Sequence, residues 1–305
     1  MLKCDILACI SRFFCVILHF NKVKTIMEQY TVKPDVLGYD DIVKLVPAFE
    51  GKRKLVEVIG NFLALDKVND LHSRFCDTPG PQFVNRMLDD LNSKLEINNE
   101  QVLDNMPNGK FVTVSNHPFG ALDGIILIKM LTDRYPEFKV RVNMILNYIS
   151  AMRPNFIAVD ALQSNDPKQQ AVSRNGLREA INQIQSGNPL GFFPAGAVSK
   201  ITRHLRIEDR DWQPTIMRLI QKFNVPVVPI YFHGHNSFLF NFLGLISWQL
   251  RTLRLPSEVF ASHDRTFRIS IGDPIMPEEL AKHADVEELG KFLKEKTYSM
   301  RFWKK

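Results

Sequence analysis

The sequence predicts an α/β fold with a largely parallel central sheet flanked by helices and preceded by an N-terminal helical segment. Between residues 110 and 271, short apolar runs of strand length alternate with longer segments of helical periodicity. Strands that alternate with helices are typical of α/β proteins with a parallel sheet. The chain of 305 residues, 45% apolar and 24% charged, is long enough to bury a good-sized core in one or two domains.

The first part of the chain has helical character. Between about residues 38 and 95, apolar residues recur at the spacing of one helix face. The sequence D-T-P-G-P at 77–81 interrupts this pattern, and Pro81 is well placed to begin the last helix of the group. We therefore predict a helical N-terminal segment at 27–100.

The α/β domain is predicted at 101–280 and a helical tail at 281–305. Gly187, Asn188 and Pro189 mark the end of the longest helix in this domain. The predicted strands are at 110–115, 140–146, 155–159, 190–193, 225–232 and 267–271, and the predicted helices at 125–133, 167–185 and 212–223.

The first 26 residues differ in composition from the rest of the chain. Residues 6–20 form an apolar run that is broken by Arg12 and is shorter than the ~20 residues of a membrane-spanning helix. The basic residues around this run are compatible with a segment that lies in a membrane interface. Met27 begins a sequence of ordinary globular character, so residues 1–26 are either such an interfacial segment or a doubtful extension.

The net charge of +6 favours an anionic partner, such as a membrane face or an acidic co-substrate, or it serves solubility alone. We predict no nucleic-acid binding, because basic residues are not interleaved with aromatic residues along one stretch. The four cysteines form no C-x-x-C pair, which argues against a disulfide framework and suits a reducing compartment. His233 and His235 are two residues apart without an evident third ligand, so we predict no metal site.

The stretch V-S-N-H-P-F-G-A-L-D-G at 114–124 places polar residues in a turn between two apolar elements. His117 follows a predicted strand, and ligands of parallel sheets bind beyond the carboxyl ends of strands. A tight turn can bring Asp123 back to His117, where a carboxylate on one ring nitrogen makes the other nitrogen a better base. Alternatively, Asp123 only caps the next helix, and Asn116 and His117 only shape the turn.

Two further stretches complete the pattern. L-G-F-F-P-A-G-A-V-S at 190–199 reads as a strand, a proline, small residues and then a candidate helix start. Small residues let a ligand approach the backbone, and free N–H groups at a helix start suit a phosphate or an oxyanion. N-V-P-V-V-P-I-Y-F at 224–232 reads as a buried strand.

These three stretches, in this order, resemble the conserved blocks of the lysophospholipid acyltransferase superfamily, which includes the 1-acylglycerol-3-phosphate acyltransferases. The first resembles the Asn-His…Asp block, the second the F-P-E-G-T block and the third the fourth block of that superfamily. The resemblance covers about 110–275. The form N-H-P-x-G-x-L-D-G is similar to the branch of ornithine-lipid and haemolysin-like acyltransferases.

The resemblance implies an O-acyltransferase in which His117 takes the proton of a lipid hydroxyl and Asp123 orients His117. The acyl donor is a thioester of coenzyme A or of acyl carrier protein, and no bound cofactor or metal is implied. Backbone N–H groups around Gly196 are implied to hold the oxyanion. The residues expected to bind the substrates are Asn116, Gly120, Asp160, Pro194, Ala195, Gly196 and Ser199.

Three departures from the superfamily pattern bear on the acceptor. Five residues rather than four separate His117 from Asp123, Ala195 stands where the pattern has Glu, and Asp160 stands where it has a phosphate-binding Arg. An Asp at that position disfavours a glycerol-phosphate acceptor. It favours an amino-acid lyso-lipid of the ornithine or glycine type, unless Asp160 is a solvated loop residue; the ammonium group for Asp160 to face is that of an ornithine head group. Lysophosphatidic acid and other lysophospholipids are the alternative acceptors.

A non-catalytic protein that binds lipids or acyl carriers is the other alternative, although the presence of both His117 and Asp123 argues against it. An α/β hydrolase is disfavoured because the sequence has no G-x-S-x-G. The apolar stretch at 237–255 is either a core helix with a basic end or a surface that contacts the membrane. With a lipid acceptor, we expect a peripheral enzyme on the cytoplasmic face of the membrane.

Overall fold

The structure is a computed structural model that describes residues 32–106, 110–159 and 167–303. Seven strands form one sheet in the order β1-β9-β8-β2-β5-β3-β4, and β6 and β7 form a small hairpin. Within the large sheet all neighbours are parallel except β8 and β9, which are antiparallel. The strands are β1 Lys94–Asn98, β2 Val112–Ser115, β3 Lys139–Asn143, β4 Phe156–Val159, β5 Leu190–Phe192, β6 Lys200–Ile201, β7 Ile207–Glu208, β8 Val227–His233 and β9 Thr266–Ile271. The predicted α/β fold with a largely parallel sheet is confirmed.

Helices cover both faces of the sheet. They are α1 Tyr39–Leu45, α2 Arg53–Phe62, α3 Leu65–Phe75, α4 Pro81–Asp90, α5 Ala121–Thr132, α6 Pro167–Gln185, α7 Pro214–Phe223, α8 Phe238–Ile246, α9 Trp248–Leu253, α10 Leu255–Phe260, α11 Pro277–Leu280 and α12 Val286–Tyr298. The proline at the first position of α4 and of α7 suits a helix start, because the missing N–H would have no partner there.

The buried side chains of the sheet divide into two layers. On one face, Val140 and Val142 of β3 pack with the buried residues of α4 and α5. On the other face, Val112 and Val114 of β2 pack with the buried residues of α6, α7 and α12. In β8, the adjacent residues Val227 and Val228 belong to opposite layers, as the two-residue period of a strand requires. The central strands β2, β5 and β8 are buried on both faces.

The N-terminal segment contains one element that the helical pattern did not predict. Residues 94–98 form β1, which pairs in parallel register with β9 at the edge of the sheet. The strand K-L-E-I-N has only two apolar residues, so its alternation is too short to stand out from the preceding helices. The predicted segment 1–26 lies outside the described residues.

The carboxyl ends of the central strands position the functional residues. The parallel strands β2, β5 and β8 are neighbours, so the turns after Ser115, Phe192 and His233 meet at one edge of the sheet. Because β9 is antiparallel to β8, the residues just before β9 lie at the same edge. In open α/β sheets this is the edge at which ligands bind.

Candidate active site

The turn between β2 and α5 brings His117 to Asp123. The Nδ1 atom of His117 lies 2.9 Å from Oδ2 of Asp123. The Asp123 side chain is fully buried, whereas 18% of the His117 side chain is exposed. The five intervening residues form a turn in which Gly120 has φ +75°, and this turn closes the contact between the two side chains.

Asp123 also caps α5. Its Oδ2 atom accepts the backbone N–H groups of Phe119 at 2.8 Å and of Gly120 at 3.0 Å. The two interpretations of Asp123, as a helix cap and as the partner of His117, are therefore both satisfied by one oxygen. Burial raises the pKa of the Asp123 carboxyl, while the contact with His117 and the two N–H donors oppose that rise.

The imidazole of His117 is held from several sides. Its ring centre lies 4.4 Å from that of Phe193, with the planes tilted by 30°. Because Nδ1 faces the buried carboxylate, Nε2 is the ring nitrogen directed away from it. No residue of the described ranges makes a hydrogen bond with Nε2. The arrangement therefore offers one ring nitrogen to an incoming proton and fixes the other.

The loop F-P-A-G-A-V-S after β5 is a turn and not the helix start that the sequence suggested. The N–H of Gly196 donates to the carbonyl of Phe193 at 3.0 Å, so it is occupied within the turn. The next N–H groups, of Ala197 and Val198, have no hydrogen-bond acceptor among the residues that the structure describes. The turn therefore leaves these two N–H groups, rather than that of Gly196, without an acceptor.

Tight packing explains the small residues of this loop. Gly196 has φ +61°, and a Cβ atom there would lie 2.1 Å from Nε2 of Gln213. Pro194 is buried, and its carbonyl accepts the N–H of Gln213 at 2.9 Å. Ala195 is fully buried, and its carbonyl accepts Nε of Arg210 at 2.6 Å. A glutamate at Ala195 would therefore need the surrounding side chains to move.

Asn116 joins the ends of two strands. Its side-chain Nδ2 donates to the carbonyl of Phe232 at 2.9 Å, and its Oδ1 accepts the N–H of the same residue at 2.7 Å. Both ends of the amide are thus used to attach the turn after β2 to β8. The predicted contact of Asn116 with a substrate stays a prediction, as do those of Gly120 and Ser199. Asp160 lies outside the described residues.

Asp209 is a site residue that sequence reasoning missed. Its Oδ1 accepts the Ser199 hydroxyl at 2.5 Å and the backbone N–H of His117 at 3.2 Å, and its Oδ2 accepts Nε1 of Trp212 at 3.2 Å. The N–H of Ser199 in turn donates to the carbonyl of His117 at 2.8 Å. Burial raises the pKa of Asp209, and its contact with Ser199 and the nearby His117 oppose that rise. This carboxylate attaches the F-P-A-G-A-V-S loop to the residue that carries the imidazole.

The two histidines at the end of β8 are engaged in local contacts. Nε2 of His233 lies 2.8 Å from Oγ of Ser270, and Nδ1 of His235 lies 2.7 Å from the carbonyl of Asn236. Within the described ranges, no group of three or more His, Cys, Asp or Glu residues is arranged to hold a metal ion.

Comparison with known proteins shows the family of this chain. A family model described as Acyltransferase matches residues 54–303. The chain belongs to this acyltransferase family. The resemblance of its three sequence blocks to the lysophospholipid acyltransferase superfamily is thereby confirmed. The match takes in β1 and most of the N-terminal helices as well as the predicted α/β domain.

Relatives of this acyltransferase include two curated proteins, each named lyso-glycine lipid O-acyltransferase. The one from Phocaeicola vulgatus is 27% identical over 274 residues, which are 85% of this chain and 94% of the relative. The one from Bacteroides thetaiotaomicron is 26% identical over 265 residues, which are 84% and 92% of the two chains. A crystal structure of the 1-acyl-sn-glycerophosphate (LPA) acyltransferase PlsC from Thermotoga maritima is similar with a TM-score of 0.43, at 17% identity and with full coverage of both chains.

Proposed function

We propose that this acyltransferase moves a fatty acyl group from an acyl thioester to the hydroxyl of a lyso-lipid with an amino-acid head group. The observation that carries the proposal is the 2.9 Å contact between His117 Nδ1 and the buried Asp123. This contact lies at the edge of the sheet where ligands bind, which we call the substrate edge, and it leaves Nε2 without a hydrogen bond among the described residues. The donor is coenzyme A or acyl carrier protein in its acylated form. No bound cofactor or metal is part of the proposal.

In the proposed reaction, Nε2 of His117 accepts the proton of the acceptor hydroxyl as the oxygen attacks the thioester carbonyl. Asp123 holds the ring orientation and stabilises the imidazolium that forms. The N–H groups of Ala197 and Val198 stabilise the tetrahedral oxyanion. The intermediate collapses, the carbon–sulfur bond breaks, and the thiolate leaves and takes the proton back from His117. The products are an ester and a free thiol, and no acyl group is bound to the protein.

The acceptor class is supported by two independent observations. The two curated relatives are named lyso-glycine lipid O-acyltransferases. In addition, the sequence has Asp160 where the superfamily pattern has a phosphate-binding Arg, which disfavours a phosphate head group. We therefore propose an acceptor that is a glycine-type or ornithine-type lipid with a free hydroxyl on its acyl chain.

The purified protein is expected to acylate N-(3-hydroxyacyl)glycine with a kcat/KM at least about tenfold above that for lysophosphatidic acid. The reason is that charged side chains at the site are expected to pair with the carboxylate head group and not with the phosphate head group. Formation of the ester product from each acceptor, with acyl-CoA and with acyl carrier protein as donors, measures this preference. A clear preference for lysophosphatidic acid would show that the proposed acceptor is wrong.

We also propose that the protein is peripheral on the cytoplasmic face of the membrane. In the described part of the chain, no helix is long and apolar enough to cross a bilayer. Helices α8 and α9 instead present large apolar side chains to solvent: Phe238, Leu239, Phe242, Leu245, Ile246 and Trp248. We call these six residues the apolar surface. An exposed apolar surface on a short helix suits the headgroup region of a bilayer.

The apolar surface is linked to the active-site loop. Arg251 of α9 is 8% exposed, and it donates to the carbonyls of Val198 at 2.6 Å and Ser199 at 3.1 Å. Its guanidinium carbon lies 5.4 Å from the ring centre of Phe240, which is a buried residue of α8. Binding of α8 and α9 to a bilayer would therefore place the F-P-A-G-A-V-S loop close to the lipid phase.

Replacement of Leu245 and Ile246 by aspartate is expected to weaken binding to anionic phospholipid vesicles by at least about tenfold, since burying each such side chain contributes ~1.5–3 kcal/mol. Both side chains are 62% exposed, so their replacement leaves the core intact. Co-sedimentation with vesicles measures binding. The control is Leu205→Asp in the β6–β7 hairpin, where Leu205 is 87% exposed. Unchanged binding of the double variant would contradict the proposed membrane contact.

A further inference from the structure

Arg265 lies at the substrate edge of the sheet, immediately before β9. Its guanidinium carbon is 4.4 Å from the ring centre of Phe119 and 5.5 Å from that of Phe267. One of its N–H groups, on Nη2, donates to the carbonyl of His235 at 2.9 Å. Two aromatic rings and a backbone carbonyl thus fix the plane of this cation.

The space for this guanidinium depends on a glycine. Gly234 has φ +100°, and a Cβ atom there would lie 3.1 Å from Nη2 of Arg265 and 3.2 Å from Cζ of Phe119. Both contacts are tighter than side chains usually accept, so any larger residue at 234 would press on the pair. The backbone after β8 therefore leaves room for a cation stacked on Phe119.

Arg265 has no carboxylate partner within 4 Å among the residues that the structure describes. Neighbouring arginines do have one, since Arg254 lies 3.4 Å from Glu258 and Arg268 lies 2.8 Å from Glu96. Burial lowers the pKa of Arg265, while the charges of Glu258 and Asp123 oppose that fall. A partly buried guanidinium that keeps most of its N–H donors unpaired is suited to a bidentate anion.

This cation is next to the catalytic turn. The backbone N–H of Phe119, whose ring supports Arg265, donates to Asp123 Oδ2 at 2.8 Å, and the same oxygen contacts His117. Arg265 and His117 therefore contact the same turn, Arg265 through the ring of Phe119 and His117 through Asp123. In an N-(3-hydroxyacyl) amino acid, the reactive hydroxyl and the carboxylate are separated by only a few bonds.

We propose that Arg265 binds the carboxylate of the acceptor head group and so selects amino-acid lyso-lipids. The inference rests on the proposed function and adds to it the residue that recognises the acceptor. The other arginines of the site are less suited. Arg251 is almost fully buried with its N–H groups on carbonyls, and Nε of Arg210 donates to the carbonyl of Ala195. The carboxylate is common to glycine-type and ornithine-type acceptors, so one site serves both.

A comparison of wild type and one variant on two acceptors tests the proposal. The acceptors are N-(3-hydroxyacyl)glycine and the corresponding neutral glycinamide, and the variant is Arg265→Met, which keeps an apolar stem on Phe119. With the acid, Arg265→Met is expected to lower kcat/KM by about 10- to 100-fold, mainly through KM. With the amide, its kcat/KM is expected to equal that of the wild type within about threefold. Arg268→Met, which removes an exposed and paired guanidinium of β9, is the matched control and is expected to leave both values unchanged.

Each outcome has one meaning. A selective loss on the acid supports the assignment of the carboxylate to Arg265. Equal losses on acid and amide would show that Arg265 only supports the fold of the turn, and no loss on either would show that it does not contact the acceptor. Both results overturn the inference but leave the proposed acyl transfer intact. A wild-type protein that acylates neither acceptor would overturn the proposed function and this inference with it.

Discussion

Replacing His117 with alanine is expected to lower kcat by about 10²–10⁴-fold, the usual contribution of a positioned general base. The variant keeps the acceptor and donor contacts that do not involve the imidazole, so KM is expected to change much less. The fold is expected to remain intact, because the imidazole is partly exposed and its main role in packing is its contact with Phe193. Steady-state acyl transfer, together with the melting temperature of each protein, measures both effects.

A second histidine–aspartate pair on the surface provides the control. His263 Nδ1 lies 2.8 Å from Asp264 Oδ2, a distance close to that in the active site, but both side chains are more than half exposed. His263→Ala is expected to leave kcat unchanged, since this pair has neither the burial nor the position at the ends of β2 and β5. Equal activity of His117→Ala and His263→Ala would contradict the assigned role of His117.

Replacing Asp123 with asparagine is expected to lower kcat by about 10²–10⁴-fold as well. The asparagine oxygen can still accept the N–H groups of Phe119 and Gly120, so the cap of α5 is retained. The same oxygen also meets Nδ1 of His117, because Oδ2 makes all three contacts in the wild type, so the ring keeps its orientation. The negative charge that stabilises the imidazolium is lost, which weakens His117 as a base. Asp133→Asn, at the exposed other end of α5, is the matched control.

Stability and activity are expected to separate in the Asp123→Asn variant. Because burial raises the pKa of Asp123 above its value in the unfolded chain, the wild type loses stability as pH rises from about 4 through that raised pKa. The asparagine variant does not share this loss. The free energy of unfolding of the variant, minus that of the wild type, is therefore expected to increase as pH rises. Urea unfolding of both proteins at low and at neutral pH measures this difference. A variant that is inactive only because it unfolds would contradict this account.

The sequence alone was sufficient to predict the contact between His117 and Asp123, because both residues lie in one turn. His117 and Asp123 are six positions apart between two buried elements, so local spacing and the strand-end rule bring them together. The sequence also left two interpretations of Asp123 open, as a helix cap and as the partner of His117, and the structure satisfies both. One buried oxygen serves the helix cap and the imidazole at the same time.

Contacts across long stretches of the chain were not predictable in the same way. Asp209 reaches the backbone of His117 across 92 positions, and nothing in the run I-E-D-R-D-W distinguishes Asp209 from Asp211. Arg265 stands next to Phe119 only because β9 is antiparallel to β8, a reversal that the alternation of elements does not encode. Periodicity predicts which residues are buried, whereas the order of the strands decides which distant side chains meet.

The loop around Ala195, where the superfamily pattern has Glu, is held by side chains from outside its own block. Ala195 is fully buried, and two side chains of the following segment contact the loop, Arg210 at the carbonyl of Ala195 and Asp209 at Ser199. The position of the loop thus depends on residues that follow it in the chain. In the sequence, the F-P-A-G block lacks the carboxylate of the superfamily pattern. In the structure, Asp209 from the following segment places a buried carboxylate against the same loop.

The most direct test of the central claim is a single-turnover measurement with the acyl thioester donor and N-(3-hydroxyacyl)glycine, in which wild type and His117→Ala are compared in the same vesicles. The account predicts ester formation by the wild type at a rate at least about 10²-fold above that of the variant. Ester formation at equal rates by the two proteins would contradict the claim that His117, held by Asp123, removes the acceptor's proton.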